Sequence, residues 1–267
     1  ASTVCTGTGT NIQVANSENG VSYQLRIGTT NVGTPVTGNG GTIKLPTGNL
    51  TSTTTFNVLA TNANCSVQLT NTATVNVEDT PVNPTLASAS PASGSTVCQG
   101  STVSATFNAG SGGTSDEFRY SLDNGSNWNT YTGGNLTAGT QTVIIQGRRV
   151  ADVCTDGEWT NLATWNVELT PVAPVLTKNP NTSSVCDGAD VSATLNTAGS
   201  GGNGTPTYEY RTSTDGGTNW SSWQSYTLGN NISTTGLTNV EIRATQNATY
   251  CTATSNTYSW TVNPLPQ

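Results

Sequence analysis

The sequence predicts an all-β chain of three tandem small domains, and three observations carry the prediction. One phrase occurs three times: Val4-Cys5-Thr6-Gly7, Val97-Cys98-Gln99-Gly100 and Val185-Cys186-Asp187-Gly188. Each is followed by one further cysteine, at Cys65, Cys154 and Cys251, and the starts lie roughly 90 residues apart, the length of one small domain. Apolar residues alternate with Thr and Ser, and no window holds a helical apolar stripe, which is the signature of half-buried strands.

The blocks read as residues 1–81, 82–172 and 173–267. Pro-rich joints separate them, Thr80-Pro81-Val82-Asn83-Pro84 and Thr170-Pro171-Val172-Ala173-Pro174, and Asn263-Pro264-Leu265-Pro266 stands where a next joint would begin. Proline fixes φ and favours extended backbone, so these joints should be short and stiff. Each is preceded by an alternating strand, Ala73–Glu78, Thr164–Glu168 and Tyr258–Asn263. A last strand running straight into the next block predicts an elongated array.

Within block three, Val191–Leu195, Tyr208–Ser213, Trp220–Tyr226, Asn231–Thr234, Val240–Ala244 and Thr257–Val262 read as strands, with a Gly-rich loop at Gly199–Gly204. Block two matches with Val103–Phe107, Glu117–Ser121, Trp128–Tyr131, Thr142–Gln146 and Ala163–Val167. In block one the clearest strands are Tyr23–Ile27 and Phe56–Ala60. Six to eight short strands in about 90 residues, with a cysteine pair, read as an immunoglobulin-like β-sandwich.

Six cysteines allow fifteen connectivities. Because every block carries its own pair at a separation near 60, the repeat favours one disulfide per domain: Cys5–Cys65, Cys98–Cys154 and Cys186–Cys251. A metal site or free thiols are the alternatives, but there is no histidine and no Cys-x-x-Cys, which disfavours zinc. Disulfides imply an oxidising, extracellular location at a cell surface or in secretion. Block one starts almost on its cysteine, without the approximately 15-residue lead that precedes Cys98 and Cys186. This suggests a processed chain or a segment of a longer one, and would permit a strand donated by a neighbour.

The net charge is −7, spread over the blocks, and Arg148-Arg149 is the only adjacent basic pair, which argues against nucleic acid as a partner. No apolar run is long enough for a membrane span. Asp116-Glu117, Asp152, Asp156, Glu158, Asp187 and Asp190 are weighed as calcium ligands, but no D-x-D-x-D loop exists and solvated turn acids are the simpler reading. No cofactor or metal is expected. Asn-x-Ser/Thr triplets, such as those at Asn49, Asn135 and Asn219, would matter only in a secretory eukaryote. With no histidine, no G-x-S-x-G and no phosphate loop, no catalytic constellation can be assembled, and the chain reads as no enzyme.

Two octapeptides share the pattern S-x-D-x-G-x-x-W: Ser121 to Trp128, with Asp123 and Gly125, and Ser213 to Trp220, with Asp215 and Gly217. They resemble the Asp-box of sialidases, which implies a structural hairpin turn: Asp accepts turn amides, Gly supplies φ > 0 and Trp packs beneath. Trp220, Trp223 and Tyr226 are candidate glycan contacts, since aromatics on a β face stack on sugars, although they more often cover a sheet.

The V-C-x-G openings, the run Gly20–Arg26, the phrase Thr51–Cys65 and the T-V-N-V endings with proline joints resemble the Ig-like repeats of very large secreted surface proteins of Bacteroidetes. These include gliding-motility adhesins and type IX-exported proteins. The resemblance implies Ig-like sandwiches, a cell-surface or filament setting, and scaffolding or adhesion through neighbouring repeats, copies of the chain or surface glycans. A carbohydrate-binding accessory region of a secreted enzyme and a self-polymerising fibre subunit are the alternatives.

Overall fold

Burial follows the alternation in the sequence. In Asn239–Gln246, every second residue (Val240, Ile242, Ala244, Gln246) is buried, while Glu241 and Arg243 face outward. The computed structural model describes residues 2–266; these form strands and turns without a helix. Their buried apolar residues fall into three separate clusters. Leu25, Phe56 and Val75 centre the first, Val103, Ile145 and Trp165 the second, and Val191, Ile242 and Trp260 the third.

The accessible surface is 14195 Å². A single compact protein of this mass would expose about 11,000 Å², and three separate domains of a third the mass about 14,700 Å². The chain is therefore an extended array whose sandwiches meet over small areas.

Each sandwich has a larger sheet with the same path. Its opening strand (Ser2–Cys5, Thr96–Cys98, Ser184–Cys186) pairs in parallel with its closing strand (Ala73–Glu78, Thr160–Glu168, Thr254–Asn263). The closing strand pairs antiparallel with an inner strand (Thr54–Thr61, Val143–Val150, Asn239–Gln246), which pairs with a front strand (Ser22–Ile27, Ser115–Ser121, Thr207–Ser213).

The second sheets differ. In the second sandwich a leading strand, Thr85–Ser90, pairs with Thr102–Asn108, and in the third Val175–Asn179 pairs with Asp190–Thr197. The first sandwich has only Asn11–Val14 against Ile43–Pro46, with no leading strand among the described residues.

One core position on the closing strand sets the first sandwich apart from the other two. Trp165 and Trp260 are fully buried on the closing strands, and their indole N–H groups donate to the Pro91 and Pro180 carbonyls at 2.8 and 3.0 Å. Val75 holds this place in the first sandwich. Replacing Trp260 or Trp165 by Ala should cost its sandwich about 3–5 kcal/mol. Chemical denaturation should show that one sandwich's transition moving to lower denaturant; an unshifted midpoint would contradict this packing.

Candidate functional site at the joints between sandwiches

Strand direction decides where each cysteine goes. The opening strand runs parallel to the closing strand, so both end at the pole facing the next sandwich. The inner strand is antiparallel to them and ends at the other pole, where the second cysteine of each block follows. An eight-residue inner strand such as Val143–Val150 separates the poles by about 27 Å, far beyond the reach of a disulfide, whose Cα atoms lie roughly 4.4–6.8 Å apart. The expected bonds within domains, Cys5–Cys65, Cys98–Cys154 and Cys186–Cys251, are thus corrected. The structure joins Cys5 to Cys154 and Cys98 to Cys251, each with Cα atoms 4.8 Å apart, and leaves Cys65 and Cys186 exposed and unbonded. Both disulfides cross a joint.

A carboxylate accompanies each sulfur. Parallel register sets Cys5 beside Glu78 and Cys98 beside Glu168. Glu78 reaches across the joint and accepts the backbone N–H groups of Asp152, Val153 and Cys154 at 2.9, 2.7 and 2.8 Å. Glu168 does the same for Thr249, Tyr250 and Cys251 at 3.0, 2.6 and 2.6 Å. Hydrogen bonds to the charged form favour it. The Asp152 amide, then those of Cys154 and Val153, hold Glu78 below the ordinary 4.5. For Glu168, burial pushes upward, and the amides of Thr249, Tyr250 and Cys251 outweigh it, again leaving the group below 4.5. Sequence reasoning missed both glutamates. Their signal is the V-E that ends a closing strand just before Thr-Pro.

The receiving pole carries Ala-Gly-Ser-Gly-Gly, at 109–113 and again at 198–202. The incoming joint lies against it as one more extended segment: Val82 and Ser111 exchange backbone bonds at 2.8 and 3.0 Å, as do Val172 and Ser200 at 2.7 and 3.1 Å. Gly112 and Gly201 have φ of 62° and 65°, and a Cβ on either would collide with the carbonyl of Thr80 or Thr170. Glycine is required there by both backbone and approach. In the first joint Asn83 adds a further tie: it accepts the Arg149 N–H at 2.8 Å and donates to the Glu158 carbonyl at 2.6 Å.

The other sequence-singled residues lie elsewhere on the sandwiches. Asp123 accepts from the Asn127 side chain (2.6 Å), the Asn127 N–H (2.8 Å) and the Ser121 hydroxyl (2.7 Å), which together hold it at about 2. The Asn219 N–H and side chain and the Ser213 hydroxyl hold Asp215 at about 2 likewise. Gly125 and Gly217 have φ of 88° and 86°, close beside Trp128 and Trp220.

Arg211 lies 4.4 Å from the Trp220 ring and 4.6 Å from Trp223, and Arg243 lies 4.2 Å from Trp223; Arg119 sits likewise between Trp128 and Trp159. These half-buried rings form cation–π stacks with arginines over the sheet. Tyr226 is buried, with its hydroxyl accepting the Ala193 N–H and donating to the Asn230 carbonyl. It fills the core, which corrects its reading as a surface contact.

Five of the seven acidic residues weighed as calcium ligands have structural partners. Asp116 and Glu117 pair with Arg149 and Arg148, Asp156 accepts the Ala151 N–H, and Asp187 and Asp190 accept from Gly236 and Asn231. Among the described residues, no helix is long and apolar enough to cross a membrane.

No family model and no curated protein matches the chain. Solved structures do. The I-band fragment I67–I69 from titin matches with a TM-score of 0.57 at 9% identity, covering 99% of this chain and 95% of that one. Mouse cadherin-23 EC22–24 matches with a TM-score of 0.41 at 14% identity (99% and 95% covered). A Ca2+-stabilised adhesin that helps an Antarctic bacterium bind ice matches with a TM-score of 0.39 at 14% identity (99% and 72% covered). The titin likeness shows the fold: a tandem array of Ig-like β-sandwiches.

Peptide mapping without reduction should recover the pairs Cys5–Cys154 and Cys98–Cys251, and recovery of Cys98–Cys154 would refute the crossed arrangement. In Glu168→Gln, hydrogen exchange should quicken at Thr249–Cys251 while Asp152–Cys154, still held by Glu78, stays unchanged. Both glutamates have lowered folded-state pKa values, so their contribution is complete above 4.5 and is lost as pH falls through the lowered values. Once the disulfides are reduced and alkylated, X-ray scattering should show the joints loosening as pH drops below 4.5; joints that stay equally stiff would contradict the carboxylate clasp.

Proposed function

We propose that this chain is a non-catalytic extracellular segment of a bacterial surface protein, a stiff spacer that supports adhesion. The observation that supports this best is the double closure of both joints, each by a disulfide and a carboxylate bound to three amides. Neighbouring domains in one chain usually reorient unless their interface is large and apolar. Here the contact is small, and directional bonds hold the orientation instead. A device of that kind suits a protein that must keep a fixed span, and its disulfides suit an oxidising compartment. The sequence resemblance to Bacteroidetes surface repeats points the same way.

The span is testable in solution. A compact globule of 267 residues would have a radius of gyration of about 18 Å. Small-angle scattering should give a value well above this, with the cross-section of a single sandwich. A value near 18 Å would overturn the spacer reading. Antibodies against the purified chain should label intact producing cells, and labelling that requires lysis would refute the surface location.

A further inference from the structure

The two bonded pairs follow one rule: the cysteine closing an opening strand bonds the second cysteine of the following sandwich. Cys186 and Cys65 are the two halves of that rule that are unbonded in this structure. Cys186 closes the opening strand of the third sandwich beside Asn263, as Cys5 and Cys98 stand beside Glu78 and Glu168. The backbone there repeats too: the N–H of Asp187 donates to the Asn263 carbonyl at 2.8 Å, as Gln99 does to Glu168 at 2.8 Å and Thr6 to Glu78 at 2.9 Å. Cys65 follows the inner strand of the first sandwich, the position held by Cys154 and Cys251 after theirs. Both thiols are exposed.

We propose that a second copy of this chain is the partner: Cys186 of one copy bonds Cys65 of the next, head to tail, continuing the internal pattern between molecules. The contact uses different patches on the two copies, so it does not close on itself and repeats into a linear polymer. The step is an oxidation. Two thiols lose two protons and two electrons to a disulfide oxidant such as oxidised glutathione, which leaves as two reduced molecules, with a mixed disulfide between. The non-covalent clasp differs from the internal ones. Asn263 stands where a glutamate stands in the other joints, and in the first sandwich Asn62 already accepts the Asn64 and Cys65 N–H groups at 3.0 and 2.8 Å. The first sandwich also carries Ala15-Asn16-Ser17-Glu18-Asn19 in place of the Gly run. The sulfur bond therefore bears more of this joint than of the internal ones.

The inference rests on the array reading, and the test separates the two. The purified chain, with its internal disulfides intact, is incubated with oxidised glutathione and run on non-reducing gels. A ladder at multiples of 27.4 kDa that collapses on reduction is expected. Cys186→Ser and Cys65→Ser should each abolish it. Mixing the two variants should give dimers and nothing larger, with residues 65 and 186 in one linked peptide. Dimers forming as fast in either variant alone would mean indiscriminate thiol oxidation and overturn the proposal. So would thiols that end only as glutathione adducts while scattering still shows a rod, an outcome that leaves the spacer reading standing.

Discussion

A sulfur and a carboxylate leave each of the first two sandwiches side by side, because the strands carrying them run parallel and stop at the same pole. The remaining features of the joint depend on that adjacency. The disulfide fixes a distance, and three amides converging on one carboxylate fix a direction, since charge-assisted hydrogen bonds are short and oriented. The receiving loop must then present consecutive N–H groups beside its cysteine, and the joint peptide must lie close enough to need glycine at 112 and 201. Closing loops of 149 and 153 residues also restricts the unfolded chain, by about 5 kcal/mol per bond in the chain-entropy account.

What could be read from the sequence divides by range. The S-x-D-x-G-x-x-W turns were legible because Ser and Asn within the same eight residues supply the partners of each Asp carboxylate. The β class and the threefold array were legible from alternation and repeated phrases. The disulfide partners were not. Repetition shows that cysteines are equivalent, but pairing within a block and pairing to the next block repeat equally well. Only strand direction separates them, and direction emerges from a parallel pair some seventy residues apart. Tyr226 was misread for a related reason: aromatic clustering marks a shared sheet but not which of its two faces, and the Ala193 backbone holds that ring inside.

The first sandwich is the exception among the three. Val75 replaces a tryptophan in its core, its second sheet has no leading strand among the described residues, and its cysteine loop caps itself through Asn62. The second and third sandwiches share the buried indole, the Gly run and the arginine–tryptophan stack. Such stacks cover an outer sheet face with charged, soluble groups and keep large aromatics from forming an exposed apolar patch.

The crossed sulfur bonds change how the chain transmits a pull. Without them, residues 1 to 267 could be drawn out to about 900 Å at ~3.4 Å per residue. With them, the shortest covalent route enters at residues 1–5, jumps to 154, runs backward to 98, jumps to 251 and leaves at 267. Fully extended, that route is about 260 Å. Most of the first and third sandwiches hang beside it in closed loops, so unravelling them adds no length. A tether made this way yields little even when its domains come apart.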